Sequence, residues 1–222
     1  MDALRIFDFL NQLKDNNNRE WFQENKSEYE LIRKDFIDFI RRLIEKISKF
    51  DKEIIFLSPL KCIFRINRDI RFSNNKSPYK INFGGLISKG GRNAGNPGYY
   101  FHIEPGNSFI SGGIYMPRPE ALKALREDIY YNPDEFKKII NDDLFLKNFK
   151  EIQGRKLKRN PRGFPPEFSD INLLKYKDYY VTHTISDQKI CSEDIIDYAV
   201  EIYKAMLPLN HYILQAVSYP LA

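Results

Sequence analysis

The chain has 222 residues, 42% of them hydrophobic and 14% aromatic, a composition that excludes wholesale disorder and allows one sizeable core. Its apolar runs are too short to cross a bilayer, and its first residues lack the basic and apolar regions of an export signal. We therefore expect a soluble, cytoplasmic protein with a single domain over residues 1–222. The two cysteines, Cys62 and Cys191, form no CxxC pair, and both are expected to be buried thiols.

The net charge is only +5, but the cationic side chains are concentrated in two segments. Residues 61–92 contain eight Lys or Arg and a single acid, and residues 154–177 contain seven Lys or Arg and two acids. Positive charge at this density repels itself unless an anion, a neighbouring acid or solvent compensates it. The two segments are therefore the first places to look for a binding site.

Apolar residues at helical spacing predict two helices at the start of the chain, the first ending near Leu13 and the second covering Tyr29 to Ile47. The polar segment 16–22 between them is expected to be a turn. Its aromatic residues, Trp21 and Phe22, are expected to hold the two helices together.

Alternating polar and apolar residues predict half-buried strands at Cys62 to Asn67 and at Tyr99 to Glu104, which we expect to be neighbours in an antiparallel sheet. Further strands are predicted at Phe83 to Ser88 and at Ser108 to Tyr115. The sequence Pro105-Gly106-Asn107 predicts a hairpin turn between the strand at Tyr99 to Glu104 and the strand at Ser108 to Tyr115.

The glycine-rich stretch 84–98 matches neither of the usual phosphate-loop patterns, so nucleotide binding by those routes is not expected. It predicts either a mobile flap, with Lys89 and Arg92 available to close on a ligand, or more simply a hairpin connection.

Helical spacing returns after residue 116, with Pro117 and Pro133 at positions typical of a first helical turn. A further strand is predicted at Tyr179 to Ile185, and a last helix is expected to follow Ser192 and to break or kink at Pro208. These elements together predict an α+β fold: a single domain with an antiparallel sheet meander and helices before, within and after it.

Four blocks of the sequence, spread over nearly the whole chain, resemble one known family, DUF2461. The blocks are NNREWFQENKSEYE at Asn17–Glu30, FRINRDIRFSNNKSPYKINFGG at Phe64–Gly85, GYYFHIEPGNSFISGGIYMP at Gly98–Pro117 and LKRNPRGFPPEF at Leu157–Phe168. The resemblance implies a single compact domain. It implies no catalytic residue, substrate or cofactor.

The segment Arg65 to Lys80 is the strongest candidate for an anion site, because arginine presents a rigid fork suited to phosphate or carboxylate groups. In a strand, Arg65, Asn67 and Asp69 would share one face, and Asp69 could orient a neighbouring arginine. The predicted ligand-binding residues are Arg65, Arg68, Asp69, Arg71, Lys76 and Lys80. The alternative is an internal Arg65–Asp69 ion pair beside a solvated edge that protects the sheet.

His102 and Glu104 are the predicted catalytic pair, because a histidine beside a carboxylate can transfer protons near neutral pH. Both share a strand face with Tyr100, which we expect to be the face that carries Arg65. The alternative is that His102 only hydrogen-bonds across the sheet and Glu104 pairs with an arginine. His183 is predicted to be a core histidine, and no metal site is predicted.

The second cationic segment combines basic residues with Phe164 and three prolines, a pattern typical of an extended strap. It could contact nucleic acid, or it could be structural, with arginines paired to acids between Glu120 and Asp143, or form a wall of the anion site. No motif indicates a cofactor.

Two functions follow. The first is binding of a small anionic ligand, with His102 and Glu104 moving protons if the protein is an enzyme. The second is a non-enzymatic module for nucleic acid or an acidic protein partner, and assembly through the terminal helices is a third possibility. Convergence of Arg65, Lys80, His102 and Glu104 in one concave site would favour the first function, and a flat basic face the second.

Overall fold

The structure is a computed structural model that describes residues 1–218. Four antiparallel strands form one sheet, and each strand pairs with the next one along the chain. The strands are β1 (Phe83–Ser88), β2 (Gly98–Ile103), β3 (Phe109–Ile114) and β4 (Tyr179–Thr184). The predicted α+β class and the antiparallel meander are confirmed.

Helices precede the sheet, fill the connection between β3 and β4, and follow the sheet. They are α1 (Ala3–Asp15), α2 (Arg19–Glu24), α3 (Lys26–Ile47), α4 (Pro119–Tyr131), α5 (Pro133–Ile140), α6 (Asp143–Phe149), α7 (Ile171–Leu174), α8 (Asp187–Ile190) and α9 (Ile195–Ser218). Within residues 1–218, no helix has both the length and the apolar character that a membrane crossing requires.

The hairpin between β2 and β3 forms where the Pro-Gly-Asn sequence predicts it. Gly106 has a φ of 71°, a left-handed conformation that glycine adopts without steric cost. The Ser108 hydroxyl closes the turn, because it accepts from the Glu104 amide at 3.1 Å and donates to the Glu104 carbonyl at 2.9 Å. This turn sets the register in which His102 lies opposite Phe109.

One face of the sheet carries the core. Phe101 of β2 is fully buried, and its ring meets that of Phe39 on α3 at 4.8 Å between centroids. Gly112 of β3 lets α9 approach closely, since a Cβ added there would lie 2.5 Å from the Met206 sulfur. We call the opposite side of the sheet the outer face; its side chains come from Leu86, Tyr100, His102, Phe109, Ser111, Tyr180 and Thr182.

The predicted strand at Cys62 to Asn67 is not a regular strand, and it is not a neighbour of β2. It pairs with the free edge of β1 through a bridge between Ile63 and Gly85, so β1 lies between it and β2. The alternation of polar and apolar residues is too short to specify which strand is its partner.

The structure corrects two expectations for the C-terminal half: Pro117 does not lie in the first turn of a helix, and Pro208 does not break the last helix. Helix α4 begins at Pro119 and not at Pro117, because Arg118 precedes a proline and is extended, with a φ of −61° and a ψ of 152°. Helix α9 continues through Pro208 to Ser218. A proline inside a helix costs about 3 kcal/mol, but fully buried residues on both sides of it, Met206 and Leu209, anchor α9 in the core.

The cysteines differ in burial. Cys62 is buried as predicted, whereas Cys191 is exposed at the end of α8, so the prediction of two core thiols is wrong for Cys191. Cys191 immediately follows the buried Ile190, and a one-residue step around a short helix is enough to turn a side chain to solvent.

Candidate functional site

The segment 65–80, which we call the basic hairpin, doubles back on itself beside the edge of β1. Ile66 and Arg68 exchange backbone hydrogen bonds with Lys80 and Pro78, so residues 69–77 form the tip. Contacts from α2 and from the turn that precedes it hold its base. The Asn17 side chain hydrogen-bonds both the amide and the carbonyl of Tyr79, and the Phe22 ring stacks on the Tyr79 ring at 4.0 Å.

Four of the predicted ligand residues belong to the tip or adjoin it, and three of these contact only the tip. Asp69 accepts two hydrogen bonds from the Arg71 guanidinium, at 2.9 and 2.7 Å, and this partner lowers the pKa of Asp69 to about 2. The Lys76 ammonium donates to the Ile70 carbonyl at 3.1 Å. The expected alternative, an ion pair between Arg65 and Asp69, does not form.

The fourth of these residues, Arg68, is half-buried, and its guanidinium lies 3.4 Å from the Ser73 hydroxyl. The side chain of Phe72 in the same tip is 96% exposed. The side chains of Arg68, Asp69, Arg71 and Lys76 therefore form hydrogen bonds within the tip itself.

Arg65 and Lys80 lie together at the base of the basic hairpin, and Arg92 from the β1–β2 loop joins them. Burial is the main reason why the pKa of Lys80 is lowered, and repulsion from Arg65 and Arg92 lowers it further. The Lys80 ammonium donates to the Arg65 carbonyl at 3.0 Å, and Arg92 donates to the Leu60 carbonyl at 3.1 Å. None of the three cations forms an ion pair with residues 1–218.

Tyr100, His102 and Glu104 form a hydrogen-bonded chain along β2. The Tyr100 hydroxyl lies 2.9 Å from Nδ1 of His102, and Nε2 of His102 lies 3.1 Å from Glu104. Phe109 stacks on the imidazole at 4.4 Å, and Asn107 donates to the Glu104 carboxylate. The predicted pair is therefore in direct contact, and Tyr100 extends it.

The protonation of this chain follows from its surroundings. Burial lowers the pKa of His102 more than the Glu104 carboxylate raises it, so the neutral imidazole is favoured. A neutral imidazole donates from Nε2 to Glu104 and accepts at Nδ1 from the Tyr100 hydroxyl. Burial also raises the pKa of Tyr100, which keeps its hydroxyl protonated. The Tyr100 oxygen is then the group through which the chain can exchange a proton with a ligand.

Phe64 connects the cations to this chain. Its ring meets the Tyr100 ring edge-on at 6.1 Å, and the Lys80 ammonium lies 5.5 Å from its centroid. We expected Arg65 on the face that carries Tyr100, but the ring that contacts Tyr100 belongs to Phe64, the chain neighbour of Arg65. Gly84 beneath Tyr100 is required, because an added Cβ would lie 2.4 Å from the Tyr100 oxygen.

The glycine-rich stretch is in part strand β1 and in part the β1–β2 hairpin connection. Its two cations are engaged: Lys89 pairs with Glu53 at 2.7 Å, and Arg92 bonds to backbone as described. An open cleft of about 570 Å³ lies between this loop and α4, and its lining includes Asn96 and Arg118. No residue of the basic hairpin lines this cleft.

The second cationic segment lies along the other edge of the sheet. Gln153 forms a bridge with Tyr180 of β4, and Arg155 binds the buried Asp178 carboxylate through two hydrogen bonds of 2.7 and 2.9 Å. Asp178 also accepts from the Met116 amide at 2.8 Å, and these bonds lower its pKa. Arg155 therefore pairs with Asp178 and not with the acids between Glu120 and Asp143.

The structure contains a second contact between a carboxylate and a histidine, which the sequence did not predict. Buried Asp51 accepts from the Tyr99 hydroxyl at 2.7 Å and lies 3.3 Å from Nε2 of His211. These residues come from three distant parts of the chain, so no spacing in the sequence links them. They line a small cavity of about 10 Å³ together with Ser88.

His183 of β4 contacts the helical side of the protein, but it is half-buried, so it is not the core histidine that the sequence predicted. Its two ring nitrogens contact the Asn148 carbonyl at 3.1 Å and the Tyr198 hydroxyl at 2.6 Å. In the described part of the chain, no group of three or more His, Cys, Asp or Glu residues is arranged to hold a metal ion.

Comparison with known proteins gives one match. The family model described as a conserved hypothetical protein, DUF2461, matches residues 5–212. The comparisons with curated proteins and with solved structures found no match.

Proposed function

This chain belongs to the DUF2461 family, and we propose that it binds a small ligand carrying a phosphate or carboxylate group at Arg65, Lys80 and Arg92. One observation carries the proposal. Lys80 is half-buried and repelled by two arginines, and no carboxylate of the described residues lies within ion-pair distance of any of the three cations, although Asp69 acts on Arg65 from farther away. An anion placed among them would relieve both the repulsion and the cost of burial.

The surroundings define the rest of the ligand. The anionic group meets an ammonium and two guanidinium groups. The adjoining part of the ligand meets the ring of Phe64, a residue that is 39% exposed. Next along the outer face is the Tyr100 hydroxyl. The site therefore favours a ligand in which a phosphate or carboxylate is attached to an apolar or planar group.

A thermal-shift panel at low and high salt tests this proposal. It contains inorganic phosphate, phosphorylated metabolites, nucleotides and simple carboxylates, because a ligand that binds only the folded state raises the melting temperature. We expect a salt-resistant rise with at least one small anion and its loss in Arg65→Ala. The matched control is Arg42→Ala, which removes an exposed arginine of α3. Equal shifts in the two variants, or no shift with any anion, would refute the proposal.

A second candidate function, acid–base catalysis on the bound anion, is favoured by the chain from Tyr100 through His102 to Glu104. The Tyr100 hydroxyl can pass its proton to Nδ1 of His102 while its oxygen takes up a proton from the ligand. Glu104 stabilises the imidazolium that results. Incubation with the stabilising anion, followed by NMR, would reveal chemical conversion. We expect His102→Gln to stop the conversion and to retain binding. Unchanged turnover in that variant would exclude His102 from the reaction.

A further inference from the structure

We propose that the outer face binds single-stranded nucleic acid, with phosphates held at the two edges of the sheet and bases placed on the aromatic side chains between them. The inference rests on the proposed function, because a phosphate at Arg65 and Lys80 forms one end of the contact.

Aromatic side chains occur at both ends of the outer face. At the β1 edge, Phe64 and Tyr100 form an edge-to-face pair, with Phe64 partly exposed. At the β4 edge, Tyr115 and Tyr180 form another, with centroids 5.7 Å apart, and Tyr115 is 66% exposed. Helices α3 and α9 pack on the opposite face of the sheet, and on the outer face Phe64 and Tyr115 are exposed while Tyr100 and Tyr180 are half-buried. Every nucleobase has a π-face that can stack on such rings.

Cationic groups lie at the same two ends. Arg65, Lys80 and Arg92 lie at the β1 edge, and none of them forms an ion pair with residues 1–218. At the β4 edge the Arg155 side chain is 57% exposed. Its Nε and Nη2 atoms bind Asp178, which leaves Nη1 without a hydrogen-bond partner among residues 1–218. A phosphate can bind at that atom.

The distance between the two ends selects the occupant. Segment 63–65, the four strands and segment 153–155 lie side by side, and five spacings of about 4.8 Å give a span of about 24 Å. A small metabolite is too short to contact both ends. A single strand is long enough and exposes its bases, whereas duplex bases are stacked inside the helix and an acidic peptide has no base to stack.

Fluorescence anisotropy with labelled oligouridylate and oligothymidylate of about eight nucleotides tests the inference. Tyr115→Ser should weaken binding about 5- to 100-fold through the loss of one stacked base. The matched control is Tyr131→Ser at the end of α4, because Tyr131 is also 66% exposed and also packs edge-on against one tyrosine. Binding should fall with salt at a logarithmic slope of about −0.7 for each phosphate contacted.

The outcomes separate this inference from the proposed function. Arg65→Ala should weaken oligonucleotide binding and also remove the thermal shift produced by the small anion. Tyr115→Ser should weaken only the oligonucleotide. If the small anion binds and the oligonucleotide does not, the inference is wrong and the proposed function stands. Duplex of the same length binding as tightly, equal competition by polyglutamate, or equal effects of Tyr115→Ser and Tyr131→Ser would each overturn the inference.

Discussion

Replacing Lys80 by methionine should separate binding from stability. Methionine keeps the length and apolar stem of lysine and removes the ammonium. The substitution loses the hydrogen bond to the Arg65 carbonyl, worth about 1 kcal/mol, and the cation–π contact with Phe64, worth about 0.5–1 kcal/mol. It gains relief from the burial and repulsion that lower the pKa of Lys80. Because these contributions oppose each other, we expect a free energy of unfolding within about 1 kcal/mol of the wild type.

The effect on binding should be much larger. A hydrogen bond to a charged group contributes about 1.5–3 kcal/mol, so the affinity for the small anion should fall about 10- to 100-fold. Isothermal titration with the anion found by the thermal-shift panel measures the affinity, and urea denaturation measures stability. An affinity unchanged in Lys80→Met, together with a loss of several kcal/mol of stability, would show that Lys80 is structural and would refute the reasoning.

The sign of the pH dependence gives a further check on Lys80. Its folded-state pKa lies below the unfolded value of about 10.4, so the charged form destabilises the folded protein at neutral pH. That penalty disappears as the pH rises through the lowered pKa. The wild type should therefore gain stability relative to Lys80→Met in the alkaline range, and parallel pH profiles of the two proteins would contradict the assignment.

Three further predictions follow from groups elsewhere in the fold. Because the pKa of His102 is lowered, the wild type should lose stability as the pH falls below about 6.5, and His102→Gln should lose less in a melting series from pH 8 to 5. Asp178→Asn should cost about 1–3 kcal/mol in urea denaturation, and wild-type stability from Asp178 should vanish as the pH falls through its lowered pKa. A thiol reagent should label exposed Cys191 in the native protein and Cys62 only after unfolding, since burial raises the pKa of Cys62 to about 12; equal labelling of both would contradict this.

Local patterns were sufficient for most of the secondary structure. The hairpin at Pro105-Gly106-Asn107 was predictable because a turn with a left-handed glycine and two alternating strands are all encoded within a few residues. The contact between His102 and Glu104 was predictable for the same reason, since residues two apart on a strand share a face.

The partners of each element depended on tertiary packing. The alternating segment from Cys62 was predicted as a strand beside β2, but it lies along the edge of β1 and then turns away into the basic hairpin. Helix α9 passes through Pro208 because its buried surface outweighs a local preference that predicted a break. Pattern and propensity act over a few residues, whereas these outcomes depend on what lies across the core.

The sequence by itself determined which residues are cationic, where the turns lie and that a histidine and a carboxylate share a strand. A neighbouring arginine for Asp69 was also predictable, and Arg71 is that partner, whereas the approach of Arg92 to Lys80 and Arg65 at the base depends on tertiary packing. Charge along a chain is fixed by composition, but its compensation depends on distance and burial, which are properties of the folded molecule.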